Sequence, residues 1–210
     1  MDWNLILGGA ISAAIGPLAV VYCLAAIGIN VQFGYTGLLN FGQAAFLAVA
    51  AYGLAVTVTV LELPFWLGII VGLLATVILA LLLGIPTLRL RAYYLAIVTI
   101  AAGEIIRLVV RSVSLKETFG STDGIQQFSS GFFDMSPFDK NGTYGGWAVT
   151  FNGDELWLLV VGWLLVAFFS LVTLLLMRSP WGRILKAIRE DEDAVRSLGK
   201  NVYWFKMQSL

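Results

Sequence analysis

The sequence predicts an all-α fold: a polytopic bundle of about five membrane-crossing helices, one of them broken by glycines, with an amphipathic helix on the inner face. Three observations carry that prediction. Hydrophobic residues make up 59% of 210, mean hydropathy is +0.87 and 12% of positions are charged, about half the charge of an ordinary soluble domain. Charged side chains are absent between Asp2 and Glu62, between Glu62 and Arg89, and between Glu155 and Arg178, and a crossing needs roughly 20 mostly apolar residues. The long apolar runs lack the two-residue alternation of a barrel, and backbone in lipid must be helical or closed into one.

Taken in order, the first span is about Leu5–Ile29 and the second about Gly37–Leu61, joined by Asn30–Thr36. Met1–Asn4 carries no basic region and Leu5–Ile29 is too long for a signal-peptide core, so it is expected to stay as a span. The third span is about Pro64–Thr87, followed by a short basic turn, Leu88–Ala92, with Arg89 and Arg91. The fourth, Tyr93–Val113, is interrupted by Glu104, Arg107 and Arg111. A polar segment, 114–155, precedes the fifth span, Leu156–Met177, and a basic loop, 178–206, follows it. Asn201–Leu210 is apolar enough to begin another helix. The whole of 1–210 is expected to form a single transmembrane domain.

Orientation follows from short-loop Lys and Arg. The 178–206 loop holds seven basic and four acidic residues, and 114–155 holds two basic and six acidic ones, so the first is expected in the cytoplasm and the second outside. Five crossings then put Met1 outside. Histidine is absent and Cys23 is the lone cysteine, which removes histidine bases, thiol metal sites and disulfides. No acid–base pair or metal cluster sits at a suitable spacing for an enzyme. Nucleic acid is not an expected partner, since no soluble domain carries a basic face.

Four features carry candidate mechanism. In Asn30–Phe46, Gly34, Gly37 and Gly42 alternate with Asn30, Gln32, Asn40 and Gln43; a local unwinding with carboxamides lining a watery path would reconcile glycines and amides with lipid, and a short loop with small-residue packing is the alternative. Glu104, Arg107 and Arg111 share one helical face, where Glu104 can pair with Arg107; the group either faces a cavity or snorkels to the headgroups. Phe119–Ile125 is a solute mouth, a docking surface or an ordinary turn. In the inner loop, Ser179-Pro180 reads as a helix start and Gly199 as its end. Between them Ile184, Ile188, Val195 and Leu198 form an apolar stripe that suits the membrane surface or a groove on a partner.

Asp193-Ala194-Val195 followed by Gly199 resembles the Glu-Ala-Ala-x-x-x-Gly signature of permease subunits in ABC importers, with Asp for Glu and Val for the second Ala. The flanks Arg178–Arg189 and Leu198–Val202, with Gly34–Phe46, Leu90–Thr99 and Gly103–Arg107, are similar to the branched-chain amino-acid permeases of the LivM/LivH type. Phe119–Ile125 resembles a glycine-rich stretch of the LivM branch, with fewer glycines. The resemblance implies a multi-pass subunit of an ATP-driven importer in a bacterial or archaeal cytoplasmic membrane. A second permease, two cytoplasmic ATPase subunits and an extracytoplasmic solute-binding protein are the implied partners, and branched-chain amino acids or related small polar solutes the implied cargo. ATP would be bound by those partners, since no phosphate-binding Gly-x-x-x-x-Gly-Lys-Ser/Thr occurs here. Family permeases continue with further spans, so the chain is expected to be the N-terminal portion of a longer permease. By carry-over, Arg183, Ile184, Ala187, Ile188, Asp193, Ala194, Val195, Leu198 and Gly199 belong to the loop that transmits ATPase motion. Gly34, Tyr35, Gly37, Asn40, Phe41, Gly42 and Gln43, with Glu104 and Arg107, are pathway candidates. The rival reading is an ATP-independent facilitator or channel whose inner loop lies on lipid.

Overall fold

The computed structural model describes residues 3–88, 92–140, 142–146 and 150–210; Arg89 and Arg91 lie outside them. Where the sequence suggested one domain, the chain packs as two compact units, 1–28 with 132–176 and 29–131 with 177–210.

In the first unit, the span expected over Leu5–Ile29 is two helices, α1 (Trp3–Ile15) and α2 (Pro17–Ile29). Proline cannot donate to the preceding turn and takes the first position of a new helix, so the chain breaks at Gly16-Pro17. Thirteen residues make α1 about 20 Å long, short of a crossing; the apolar run long enough to cross is 17–36. The long helix of this unit is α8 (Gly153–Arg178). It approaches α2 closely at Gly162, where a Cβ would sit 2.7 Å from Val20 Cγ1. The Trp163 indole donates to the Ile15 carbonyl at 2.9 Å, serving one of the acceptors that a helix end leaves open. Ahead of α8 in the 114–155 segment come α7 (Ser130–Phe133) and the antiparallel pair β1 (Thr143–Gly145) and β2 (Thr150–Asn152). Phe132 stacks on Trp157, whose indole donates to the Phe132 carbonyl.

The second unit is built around α3 (Gln43–Thr59), α4 (Phe65–Thr87) and α5 (Ala92–Val110). The second span therefore begins at Gln43 and not Gly37. Helices α3 and α4 lie backbone to backbone. A Cβ on Gly72 would stand 2.6 Å from the Ala50 carbonyl oxygen, and one on Gly53 2.9 Å from Gly72 Cα. Small residues that admit such approach are the usual adhesive between helices in lipid. By length and composition three segments among the described residues suffice to cross a membrane, 17–36, 65–87 and 153–178. Helix α3, at 17 residues, is a shorter apolar helix, and α5, interrupted by Glu104 and Arg107, is not among the three. Beyond α5, a 3₁₀ turn (Val113–Leu115) and α6 (Lys116–Phe119) end in left-handed Gly120, and Ser121 caps the Arg111 carbonyl at 2.9 Å.

The 178–206 loop is two helices and not the one expected. Helix α9 (Pro180–Glu190) stops at Asp191, which is extended and whose carboxylate accepts from the amides of Asp193 and Ala194 at 3.0 Å, starting α10 (Glu192–Ser197). An aspartate at that position ends one helix by starting another. Gly199 is left-handed, as its place past a helix end requires, and Asn201 caps α11 (Val202–Ser209).

Candidate functional site

The stretch Asn30–Thr36 is a π-helical turn, and Gly37–Gly42 is non-helical. A widened turn leaves backbone donors without helical partners, and several of them find one nearby. The amides of Gly37 and Leu38 both reach the Gln32 carbonyl, with Gly37 left-handed at φ +73°. Phe41 N donates to Thr99 Oγ1 on α5 at 3.2 Å, and Gly42 N donates to Asn40 Oδ1 at 2.8 Å. Gly42 has to be glycine because a Cβ there would press to 2.8 Å from the Thr99 carbonyl.

The unwinding is present, but two of its carboxamides, Gln32 and Asn40, are used inward, while Asn30 is exposed. Asn40 Nδ2 donates to Gln32 Oε1 at 3.0 Å and Gln32 Nε2 donates to the Leu210 carbonyl at 2.8 Å, with both side chains buried. A buried amide must find such partners, so Gln32 and Asn40 hold the broken segment together instead of lining a watery path. Gln43 starts α3, and its Oε1 is buried without a hydrogen-bond partner among the described residues.

The residues that do open onto a cavity are Phe41 and Gly42. They line a cleft of about 350 Å³ between α3 and α5, together with Glu104, Arg107 and Arg111. Its far wall is Ala44, Ala45 and Ala48, with Tyr52 beyond. Arg107 Nε donates to Glu104 Oε2 at 2.8 Å and Nη2 donates to Oε1, forming the expected pair. Both side chains of the pair line the cleft and remain about half exposed. Tyr52 meets Phe119 edge to face at 5.7 Å, which brings the Phe119–Ile125 turn beside this cleft.

The 178–206 loop is fastened to the broken helix. Arg189 Nη1 donates to the Gly34 carbonyl at 2.6 Å, and the Arg189 side chain covers Gly37, with Cγ 3.0 Å from where a Cβ would be. Lys186 Nζ lies 5.3 Å from the centre of the Tyr35 ring, a cation–π distance. Beneath them Met177, Leu185, Ile188, Val195 and Val202 form a buried cluster against Val31 and Tyr35. The apolar stripe is thus turned inward: Ile188 and Val195 are buried and Ile184 packs beside them, so none of the three is offered to lipid or to a partner's groove. Leu198 departs from the stripe, 78% exposed, because the break at Asp191 resets the helical phase. Arg183, Ala187, Asp193, Ala194 and Gly199 are also exposed.

Leu185, fully buried at the centre of this cluster, was not singled out from the sequence, because a stripe drawn for one continuous helix passes beside it. Thr99 gave no sequence signal, being one hydroxyl in a span. The Gly68-x-x-x-Gly72 spacing on α4 was legible as a packing motif.

The family model described as the branched-chain amino acid transport system / permease component matches residues 11–210. Over 194 residues the chain is 36% identical to the high-affinity branched-chain amino acid transport system permease protein LivM of Escherichia coli, covering 88% of this chain and 45% of that protein. The Salmonella typhimurium LivM is 35% identical, over 90% and 46% respectively. A probable LivM of Methanocaldococcus jannaschii is 26% identical, over 90% and 60%. The chain spans about half the length of the curated relatives it matches. No solved structure matches. A multi-pass helical membrane chain, matched from residue 11 onward, belongs to the family of branched-chain amino acid transport system permease components.

Proposed function

We propose that the chain is part of the membrane permease of an ATP-driven ABC importer in a cytoplasmic membrane, carrying branched-chain amino acids or related small polar solutes. It works there with a second permease, two ATPase subunits and an extracytoplasmic solute-binding protein. The 178–206 loop meets the ATPase on the cytoplasmic side, and the α3/α5 cleft belongs to the solute pathway.

The observation that carries this reading is the tie between loop and broken helix, Arg189 to the Gly34 carbonyl and Lys186 over Tyr35. Force applied at the exposed rim of Arg183, Ala187, Asp193, Ala194 and Leu198 reaches the π-helical turn through the Leu185 cluster. From there it reaches Phe41 and Gly42 at the cleft within a few residues. A displacement of α9 that differs between ATP-bound and ATP-free states therefore biases the cleft between two shapes, which is all that coupling requires.

The test is ATP-dependent uptake of labelled leucine into proteoliposomes holding the full-length permease with its partner subunits and binding protein. Uptake that stops on ATP depletion is the expected result. Uptake that continues without ATP overturns the importer reading in favour of a facilitator.

A further inference from the structure

We infer that the α3/α5 cleft reads the two charges of a zwitterionic amino acid, with Arg107 and Arg111 taking the α-carboxylate and Glu104 the α-ammonium, while the alanine wall takes a small branched side chain. The inference rests on the permease reading above and adds to it the means by which solute is chosen.

The cleft holds one carboxylate and two guanidinium groups against walls that are otherwise almost wholly apolar. Charged groups on an otherwise apolar helix of a membrane protein are costly to expose to lipid and usually face a cavity or the bundle interior. The Glu104–Arg107 pair is bonded within itself yet remains about half exposed, 52% and 50%, so each partner keeps a face toward the cleft. The fork uses Arg107 Nε and Nη2, and Nη1 stays outside it. Arg111, in the turn just past the end of α5, lines the same cleft, and its guanidinium forms no ion pair or hydrogen bond among the described residues. The side chains thus supply an ammonium acceptor, a carboxylate donor set and an excess positive charge.

A zwitterion matches that arrangement: its carboxylate meets the guanidinium donors in the two-pronged geometry they favour, and its ammonium meets the Glu104 oxygens. Opposite stand Ala44, Ala45 and Ala48, with Ile100 and Ile106 on α5. Such walls fit a short branched hydrocarbon and offer nothing to a polar side chain. At about 350 Å³ the space is at the small end for ligand pockets.

The inference separates solutes by charge. Leucine satisfies both ends; leucinamide lacks the carboxylate and 4-methylpentanoate lacks the ammonium, each leaving one charged group of the cleft unanswered. The experiment measures binding of these three compounds to the assembled permease–ATPase complex in nanodiscs, without the solute-binding protein, by scintillation proximity. Leucine is expected to bind about ten- to a hundredfold more tightly than either analogue, the usual range for one charged hydrogen-bonded contact. Equal binding of either analogue, or no leucine binding at millimolar concentration, overturns the inference. In proteoliposomes, E104Q and R107Q are each expected to raise the KM for uptake about tenfold or more. The double exchange Glu104→Arg with Arg107→Glu keeps an intrahelical pair but reverses its polarity, so a merely structural pair would tolerate it. Wild-type KM in the assembled double variant overturns the inference. Loss of ATP dependence in the wild-type transporter would instead sink the importer reading.

Discussion

Leu185→Ala should uncouple the transporter without emptying the membrane of it. Leu185 is fully buried among Met177, Ile188, Val195 and Val202. Truncating such a side chain costs about 2–5 kcal/mol, the removed apolar contact plus the cavity left behind. At about 3 kcal/mol, the equilibrium for lifting α9 off the π-helical turn rises on the order of a hundredfold. The α3–α4 contact loses nothing, because this cluster lies outside it. Hydrogen exchange in the reconstituted transporter should therefore show faster exchange at α9 amides and unchanged exchange in α4. Uptake per ATP hydrolysed should fall severalfold while ATP turnover persists. Leu198→Ala, at a side chain 78% exposed, should leave α9 exchange untouched and serves as the comparison. If α9 loosens in Leu185→Ala while uptake per ATP stays at the wild-type value, force does not travel through this cluster.

Replacing Gly199 with valine places a branched residue at φ +74° with open space around its Cβ, so the cost is backbone strain of about 1–2 kcal/mol; uptake should be abolished with membrane insertion intact, and normal uptake would count against a coupling role. Gly72→Val drives a side chain onto the Ala50 carbonyl and should lower detergent thermal stability by roughly 2–4 kcal/mol, which an unchanged melting curve would refute. Lys140 is raised above its usual value first by its hydrogen bond to Asp134 and then by that carboxylate's charge. A raised lysine contributes at neutral pH and loses its contribution only as pH climbs through the folded value. Being exposed, the pair is worth little, so Lys140→Met at pH 7 should move the melting temperature by at most about 3 °C.

Composition and charge gaps made the helical membrane class legible, because lipid admits so few backbone solutions. Boundaries were legible where a single residue decides them: Pro64 before α4, Pro180 opening α9, Gly199 after α10. The division of Leu5–Ile29 was also written in the sequence, at Gly16-Pro17, but an uncharged run long enough for one span hides a break inside it. Asp191 was overlooked for a related reason. In the run Glu190–Asp193 it reads as one more solvated charge, and only the extended backbone at Asp191 shows its carboxylate serving two amides. The inward use of the loop stripe was illegible on other grounds. Amphipathic periodicity says that a face is buried and never says against what.

The glycine-rich segment explains why polar residues in a span are ambiguous from sequence. A helix that unwinds in lipid frees backbone groups whose burial unpaired costs several kcal/mol each. Something must answer them, and the nearest amides do so first. Asn40 serves Gly42 and Gln32, and Thr99 serves Phe41. Their polarity is consumed in making a broken helix possible. Glu104 and Arg107 sit on an unbroken helix whose own backbone needs nothing from them, so their charges remain to face the cleft. On the proposal above, Gln32 and Asn40 on the broken element maintain shape, and charges on the intact element across from it are the ones left to recognise solute. The two kinds of residue should fail differently: Asn40→Leu should lose folded transporter, whereas Glu104→Gln should assemble and lose affinity.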